Sequence, residues 1–522
     1  MSGPALIDDA RSLWELVERR AEVTPDALLG TDEDGRTLTF AAYRAAAERA
    51  AAGLVADHGV VEGMAVSWQL PTWFESMTLV GALARLGAVQ NPILPIYRQR
   101  EVGFVARQTG ASLLVVPSTW KGFDFEAMAR AIAADVSGLE VLVVQRGLPD
   151  GDPGLLPPPP ATPDDPAEAP VRWAFYTSGT TADPKGAKHT DRTVMASAYG
   201  MAKVLDLGPD DSNALLFPFT HIGGIGILMA GLMSGARGLV AEAFDPPTTI
   251  PFLAREGVTL AGSGTPFHMA YLAAQRAAPD APLFPEVRVF PGGAAPKPPQ
   301  LHYDMKAEMG GVGIVSGYGL TECPILAMGT VHDTDDDLAH TEGAPTPGVS
   351  VRIVTLDGPV AGPGEEGEIR AKGPMLFRGY VDPSLDADAL DDDGWFRTGD
   401  LGRQGPQGHL TITGRLKDVI IRKGENISAK EVEDLLFTSP AVNDVAVIGL
   451  PDAASGERAC AVVVPADPSA PPTLDDIAAF CRDAGLMTQK IPEQIEIVDV
   501  LPRNPTGKVV KHELRSRYGK QA

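Results

Sequence analysis

A run of hydroxyl-bearing and glycine residues between Tyr176 and Gly186 is the strongest chemical signal in the sequence. It reads Tyr-Thr-Ser-Gly-Thr-Thr-Ala-Asp-Pro-Lys-Gly and follows an apolar stretch that is typical of a buried strand. Backbone amides and hydroxyls in such a loop can surround phosphate oxygens, and a lysine adds positive charge. The residue order differs from that of the GxxxxGK(S/T) loop, and a polar surface turn is the alternative interpretation. The whole pattern predicts phosphate contacts from Thr177, Ser178, Gly179, Thr180, Thr181 and Lys185.

A second loop combines glycines with an aromatic ring, a hydroxyl and a carboxylate. Glycine lets the backbone approach a ligand closely, and Tyr318 offers a flat face for a purine. Thr321 can donate to a phosphate, and Glu322 can hold Mg²⁺, which prefers carboxylate and phosphate oxygens. Taken alone, the same residues fit a tight turn with a core tyrosine equally well. The loop comprises Gly317, Tyr318, Gly319, Leu320, Thr321 and Glu322.

Three further charged residues stand in loops or turns. Asp400 ends the run Trp-Phe-Arg-Thr-Gly-Asp, and its carboxylate could accept hydrogen bonds from both hydroxyls of a ribose. Arg415 follows an apolar strand-like run, and Lys508 ends the turn sequence Pro-Arg-Asn-Pro-Thr-Gly-Lys near the C-terminus. Each of the three, taken singly, also fits an ordinary turn residue or a solvated surface charge.

The elements that must position these loops predict an α/β fold. Short apolar strands alternate with helix-prone segments, which is typical of a mostly parallel sheet covered on both faces. The segment 349–413 alternates like antiparallel strands, and beyond it comes a compact α+β unit. We therefore predict a large N-terminal domain over residues 1–415, with layered α/β subdomains and a β-rich subdomain, and a small C-terminal domain over residues 416–522. Residues 151–170 are proline-rich and predict a linker or surface loop inside the larger domain.

Composition excludes several classes of partner. The net charge of −24 over 522 residues provides no basic stripe for a nucleic acid and disfavours anionic membranes. The first twenty residues lack the apolar core of a signal peptide, and no run of about 18 apolar residues predicts a membrane span. The three cysteines have no disulfide or zinc spacing. A cytoplasmic location is the expectation that follows.

Together, the five loops resemble those of the adenylate-forming superfamily, which includes acyl-CoA synthetases, peptide-synthetase adenylation domains and luciferases. The resemblance extends from about Trp14 to Leu514, in the family's order and spacing. It implies that the chain converts a carboxylic acid and ATP, with Mg²⁺, into an acyl-adenylate and pyrophosphate, and then passes the acyl group to CoA. It also implies that the small C-terminal domain is mobile.

The resemblance also implies roles for individual residues. The loop from Thr177 to Lys185 closes over the β- and γ-phosphates, and Tyr318 stacks on the adenine beside Gly293, Ala294 and Ala295. Thr321 meets the α-phosphate, Glu322 holds the metal, Asp400 and Arg415 hold the ribose, and Lys508 bridges the carboxylate and the α-phosphate. The implied catalytic residues are Lys508, Thr181, Glu322 and His221.

Other positions match the family's acyl, hinge and thiol segments. His221 stands in Phe-Pro-Phe-Thr-His-Ile-Gly-Gly, which resembles the segment that borders the acyl pocket; a core histidine is the alternative. Lys417 occupies the hinge position, and Ala182 replaces a usual glycine, which predicts a stiffer phosphate loop. The implied acyl pocket comprises His221, Gly223, Phe267, Ala295 and Gly317, and the implied CoA channel comprises Gly424, Glu425 and Asn426.

An acid–CoA ligase for a medium-chain, alicyclic or aromatic acid is the first hypothesis. A stand-alone adenylation enzyme that loads a carrier protein is the second, and a non-catalytic nucleotide-binding protein on the same fold is the third. A peroxisomal light-emitting oxygenase is disfavoured, because the C-terminal Lys-Gln-Ala is not a peroxisomal signal. The sequence leaves open whether the chain forms a homodimer.

Overall fold

The computed structural model describes residues 6–177, 184–293, 295, 297–422, 425–452, 455–504 and 507–519. A large N-terminal domain and a small C-terminal domain, both mixed α/β, confirm the predicted fold class. No helix of the described segments has the length and apolar character needed to cross a bilayer.

The α-helices are α1 (Leu13–Val23), α2 (Phe40–His58), α3 (Phe74–Leu86), α4 (Gln99–Thr109), α5 (Phe125–Asp135), α6 (Asp191–Val204), α7 (Ile222–Ser234), α8 (Pro246–Arg255), α9 (Thr265–Ala277), α10 (Pro299–Glu308), α11 (Asp335–His340), α12 (Asp386–Ala389), α13 (Ala429–Leu436), α14 (Leu474–Asp483) and α15 (Lys511–Tyr518).

Two sheets form the α/β layers of the larger domain. The four-stranded sheet has the order β11-β12-β1-β2 and the six-stranded sheet the order β10-β9-β4-β3-β5-β8. Their strands are β1 (Leu28–Asp32), β2 (Thr37–Thr39), β3 (Ala65–Trp68), β4 (Val89–Pro92), β5 (Leu113–Pro117), β8 (Glu140–Val144), β9 (Val171–Thr177), β10 (Lys185–Thr190), β11 (Ser212–Leu215) and β12 (Arg237–Val240); β6 (Thr119–Trp120) and β7 (Phe123–Asp124) pair as a separate ribbon. Strand β5, which lies between β3 and β8, is buried at every residue, as a parallel strand covered on both faces must be.

A third sheet brings glycine-rich loops toward the same side of the molecule. Its order is β13-β14-β15-β16, and its strands are β13 (Phe290–Gly293), β14 (Ile314–Leu320), β15 (Cys323–Met328) and β16 (Ala344–Pro345). An antiparallel sheet of order β17-β18-β19-β20 follows, with β17 (Ser350–Val354), β18 (Gly367–Lys372), β19 (Phe396–Gln404) and β20 (Leu410–Arg415). The antiparallel sheet of β17, β18, β19 and β20 is the predicted β-rich subdomain.

The C-terminal domain forms around a mixed sheet. Strands run in the order β22-β21-β24-β23, and β25 pairs with β24. Their bounds are β21 (Ile420–Arg422), β22 (Glu425–Ile427), β23 (Val442–Asp452), β24 (Gly456–Pro465) and β25 (Gln494–Ile497). Since β20 ends at Arg415 and β21 begins at Ile420, the boundary predicted between residues 415 and 416 falls in the connection between two sheets. As a domain limit it stays a prediction.

Residues 151–170 run along the outside of the larger domain as a loop with two short 3₁₀ turns, Pro153–Leu155 and Pro166–Glu168. Three arginines from the folded layers donate hydrogen bonds to backbone carbonyls of this segment: Arg85 to Pro157, Arg192 to Pro163 and Arg378 to Pro166. The segment is therefore held by hydrogen bonds against the surface of the folded layers.

Candidate functional site

One large cavity brings most of the predicted site residues together. It has a volume of about 1930 Å³ and is lined from both domains. From the N-terminal domain, the predicted residues that line it are Thr177, His221, Gly223, Gly293, Ala295, Gly317, Tyr318, Gly319, Leu320, Thr321, Glu322, Asp400 and Arg415; from the C-terminal domain they are Lys417, Asn426 and Lys508. Residues separated by several hundred positions in sequence thus face one space.

The base of the phosphate loop is an antiparallel hairpin. Strands β9 and β10 pair with Thr177 opposite Lys185, so the intervening loop begins and ends at one place. The Lys185 ammonium lies 5.5 Å from the centre of the Tyr380 ring, a cation–π contact. The predicted phosphate ligands Ser178, Gly179, Thr180 and Thr181, and the substituted Ala182, lie outside the described residues.

Thr321 and Glu322 form the two-residue turn between β14 and β15, where Leu320 pairs with Cys323. Such a turn presents both side chains at the end of a hairpin. The His189 imidazole donates a hydrogen bond from Nε2 to the Thr321 carbonyl at 2.8 Å. Burial lowers the pKa of His189 to about 4, so the ring is neutral at physiological pH. A neutral, buried donor therefore fixes the turn.

Glu322 is mostly buried, and its Oε1 accepts a hydrogen bond from the Tyr380 hydroxyl at 2.7 Å. Its carboxylate also lines the cavity, so it keeps capacity for a cation. No group of three or more His, Cys, Asp or Glu side chains within the described segments could hold a metal by itself. A single carboxylate fits Mg²⁺, which usually keeps waters and substrate phosphates as its remaining ligands.

Asp400 is held between a tyrosine and an arginine. The Tyr318 hydroxyl donates to its Oδ2 at 2.8 Å, and Arg415 Nε forms an ion pair with its Oδ1 at 2.8 Å. Strand pairing explains the second contact, because Asp400 on β19 lies opposite Arg415 on β20. Each carboxylate oxygen has a further lone pair, so the arrangement still allows a ribose hydroxyl to donate to Asp400. Burial raises the pKa of Tyr318 well above its usual value, which keeps its hydroxyl a donor.

The strip beside these loops is built from glycine because the backbones are close. Strands β13 and β14 pair in parallel with Gly293 opposite Gly317. A Cβ added at Gly293 would lie 2.8 Å from the Gly317 carbonyl oxygen, so no other residue fits without a backbone shift. The Ala295 amide donates to the Gly293 carbonyl at 2.8 Å and turns the chain over the cavity. Ala294 lies outside the described residues.

Lys508 enters the cavity from a turn of the C-terminal domain. Its amide donates to Asn504 Oδ1 at 2.9 Å, and Gly507 before it has a φ of +82° that favours glycine. A Cβ at Gly507 would lie 2.9 Å from Pro266 Cγ, so this turn packs directly against the start of α9 in the larger domain. Burial, with a smaller effect of the Arg415 charge, lowers the pKa of Lys508 to about 7, and Asp400 opposes that shift. The charged groups predicted to surround a nucleotide are thus already close to one another.

The hinge and thiol positions are only partly described. Lys417 stands in the 3₁₀ turn Leu416–Asp418, between the last strand of one domain and the first strand of the other. The next residue, Asp418, accepts an ion-paired hydrogen bond from Arg515 at 2.7 Å. Asn426 is exposed on β22 and lines the cavity. Gly424 lies outside the described residues, and of Glu425 only the backbone is described.

His221 caps the helix that borders the inner part of the cavity. Its Nδ1 accepts a hydrogen bond from the Gly223 amide at 3.0 Å, so the ring proton is assigned to Nε2. Burial lowers the pKa of His221 to about 4, and the Phe217 ring packs against it at 4.8 Å between centroids. A neutral imidazole with its Nε2–H available is a hydrogen-bond donor, which fits a carboxylate or carbonyl in the cavity.

Phe267, which is predicted to line the acyl pocket, is not part of the wall of this cavity. Its ring packs against Phe244 at 4.7 Å, inside a buried cluster, and is absent from the cavity wall. The reason is the start of α9 at Thr265: Thr265 and Met269, four residues apart, share the face that lines the cavity. Phe267 points to the opposite side of that helix. Lys185 likewise does not line the cavity; Pro184 does.

Sequence patterns did not single out the residues that support the site from behind. Tyr380, which contacts both Lys185 and Glu322, belongs to an ordinary Arg-Gly-Tyr run. His189, which fixes the Thr321 turn, follows the phosphate loop but carries no local motif. Only tertiary contacts identify such positions.

The chain matches known families along most of its length. Residues 17–381 match the AMP-binding enzyme family, and residues 431–508 match the AMP-binding enzyme C-terminal domain. The sequence is 31% identical to a medium-chain fatty-acid–CoA ligase of Escherichia coli (strain K12), over 97% of this chain and 90% of that protein. It is 32% identical to a salicyl-AMP ligase / salicyl-S-ArCP synthetase of Mycobacterium tuberculosis, over 98% of this chain and 91% of that protein.

Solved structures agree with this assignment. ATP-bound MatB from Rhodopseudomonas palustris superposes with a TM-score of 0.85 at 29% identity, covering 97% of this chain and 98% of that chain. The chain therefore belongs to the AMP-binding enzyme family, within the adenylate-forming superfamily. It is an enzyme of the AMP-forming acid–thiol ligase class, and such enzymes use ATP, Mg²⁺ and CoA.

Proposed function

We propose that this chain is an ATP-dependent carboxylic acid–CoA ligase with its site in the cavity between the two domains. The observation that carries the proposal is the position of Lys508, a C-terminal residue beside Asp400 and Arg415 of the larger domain. If Asp400 binds the ribose of a nucleotide, the phosphates of that nucleotide lie close to the positive charge of Lys508. The non-catalytic hypothesis gives no reason for a partly buried lysine at that place.

The first half-reaction joins two anions. A carboxylate oxygen attacks the α-phosphate, a mixed anhydride forms, and pyrophosphate leaves. Lys508 offsets the repulsion and stabilises the developing charge, and positioning by Thr321 and Asp400 reduces the entropic part of the barrier. Glu322 would hold Mg²⁺ here, and the bound ion would supply Lewis-acid neutralisation of the phosphate oxygens. Losing one preorganised charge of this kind typically costs on the order of 10²–10³ in rate.

The second half-reaction transfers the acyl group to the thiol of CoA and releases AMP. We propose that the C-terminal domain turns about Lys417 between the two steps, which withdraws Lys508 and moves the β21–β22 hairpin, with Asn426 already at the cavity, toward the place that Lys508 leaves. The short turn Leu416–Asp418 joins two separately folded sheets, which supports a hinge there. Enclosure by two domains protects the adenylate from water.

The acid itself is proposed from the inner wall of the cavity. That wall is mostly apolar. It contains Met201 of α6, Leu205 just after α6, and Ile222 and Ile227 of α7. It suits a medium-chain, alicyclic or aromatic body, with the carboxylate toward His221. Relatives with names that specify a medium-chain fatty acid and salicylate support the same range.

A second candidate is the loading of a carrier protein in place of CoA. The relative named salicyl-S-ArCP synthetase, similar over nearly the whole chain, favours it. The deciding experiment incubates purified enzyme with ATP and an acid panel, and measures AMP formation with CoA, with a carrier protein and with neither. Acyl-CoA formation supports the first candidate, and transfer to the carrier alone supports the second. Failure to form AMP from any acid in the panel contradicts both.

A further inference from the structure

Two polar side chains interrupt the apolar wall at the inner end of the cavity. Helix α6, strand β11 and helix α7 build this wall, and most of its side chains are aliphatic or thioether groups. Ser197 on α6 and Asn213 on β11 are the exceptions. No charged side chain from these three elements lines the cavity.

Both side chains are buried without a hydrogen bond. Ser197 is 3% exposed and Asn213 is 7% exposed, and both border the cavity. Within the described part of the chain, neither side chain forms a hydrogen bond with another protein group. A hydroxyl or amide that faces a cavity and has no protein partner can hydrogen-bond to whatever occupies that cavity. Both polar side chains are therefore open to the cavity and available to hydrogen-bond a ligand that enters it.

The position of Asn213 marks the end of the space available to a ligand. Asn213 and Ile227 border the large cavity and also a second void of about 20 Å³ behind it. That void is otherwise bordered mainly by apolar groups and is too small for more than a water-sized molecule. Asn213 and Ile227 thus form the wall between the two spaces, and a ligand that enters past His221 ends against them.

The width of the same space is set by Gly226. This residue lines the cavity on α7, and a Cβ added to it meets no atom within 4 Å. The helix therefore leaves open volume at the level of Gly226 rather than close packing. A ring or a branched body fits this volume, and an unbranched chain leaves part of it empty.

We propose that the acid bound here carries, apart from its carboxylate, an uncharged oxygen function at its far end, which Asn213 and Ser197 bind. This inference rests on the proposed acid-activating function and names the chemical class of its substrate: an apolar, preferably cyclic acid with a distal hydroxyl or carbonyl. An amide and a hydroxyl can each donate and accept, so both functions fit. A second carboxylate or sulfonate does not fit, because this wall offers no cation.

The test compares pairs of acids that share a carbon skeleton and differ only in a distal hydroxyl or carbonyl. Acid-dependent pyrophosphate exchange gives kcat/KM for each member, and the ratio within a pair is the readout. We expect the wild-type enzyme to favour the oxygenated member of at least one pair by tenfold or more, since sites that pair with a substrate hydroxyl strongly reject its absence. Asn213→Leu, which has a similar volume, lowers that ratio at least tenfold, and Ser197→Ala lowers it by less.

Leu228→Ala is the matched control. Leu228, on α7, borders only the second void, so its truncation perturbs the same wall of the cavity and leaves the proposed oxygen contacts in place. The ratio of kcat/KM values within each pair of acids should be the same in Leu228→Ala as in the wild-type enzyme. Thermal unfolding measurements check that every variant is folded. A wild-type preference for the unsubstituted acid in every pair overturns the inference, and so does a ratio that Asn213→Leu and Ser197→Ala leave unchanged. An enzyme that activates no acid at all contradicts the proposed function instead.

Discussion

Nucleotide binding should charge Lys508, and this uptake of a proton can be measured. In the free protein, burial and the neighbouring Arg415 charge lower the pKa of Lys508 to about 7, well below the usual value for lysine. A triphosphate placed beside the ammonium favours the charged form and raises the pKa again. The shift therefore appears as protons taken up from the buffer when MgATP binds.

The expected size follows from the two pKa values. With a pKa of about 7 in the free enzyme, Lys508 is protonated to about 0.9 at pH 6 and to about 0.1 at pH 8. If bound nucleotide returns the pKa toward 10.5, uptake is about 0.1 proton at pH 6 and about 0.9 at pH 8. His189 and His221, each with a pKa of about 4, stay neutral throughout this range and add nothing.

Isothermal titration of MgATP in two buffers with different ionisation enthalpies measures this number directly. Lys508→Arg keeps the positive charge but cannot deprotonate in this range, so uptake should vanish while MgATP still binds. Kinetics give an independent reading: kcat/KM for ATP reports the free enzyme and should fall as pH rises above about 7. Undiminished uptake at pH 8 in Lys508→Arg would refute the reasoning, because the proton would then belong to another group.

Four further predictions follow from individual contacts. Asp400→Asn weakens the contacts of this side chain with Tyr318 and Arg415. Steady-state kinetics should show KM for ATP raised about 10–100-fold, since hydrogen bonds to charged groups contribute about 1.5–3 kcal/mol. Tyr380→Phe removes the hydroxyl that donates to buried Glu322. A titration of activity with Mg²⁺ should show a half-saturating Mg²⁺ concentration raised roughly tenfold, at a net cost of about 1–1.5 kcal/mol. Lys417→Pro should spare pyrophosphate exchange and lower thioester formation at least tenfold; equal losses in both assays would contradict the hinge. Gly226→Leu should lower kcat/KM for cyclic acids more than for short ones, while thermal unfolding shows helix stability unchanged or raised by about 1 kcal/mol.

Sequence patterns predicted the fold well where local signals and tertiary structure agree. The predicted alternation of short apolar strands with helices is present in the larger domain: the apolar run Leu-Leu-Val-Val lies in β5, and the apolar segment that ends before the left-handed C-cap Gly87 is α3. Described residues from each of the five loops also line one cavity. Domain limits and the roles of individual residues remain predictions.

Prediction was less successful where a role depends on the direction of a side chain. Phe267 has a suitable type and location, but the start of α9 turns it into the core and turns Met269 into the cavity. Tyr380 belongs to a run without any motif, and it contacts Glu322, which is far away in sequence. No local pattern encodes such contacts, so only the folded chain identifies them.

The central claim is that a lysine of the C-terminal domain acts on a nucleotide held by the N-terminal domain. The most direct test measures acid-dependent ATP–pyrophosphate exchange in Lys508→Ala beside thioester formation from a pre-made acyl-adenylate. The account predicts that exchange falls by about 10²–10³ while thioester formation from the adenylate is retained. Exchange at the wild-type rate in that variant would contradict it.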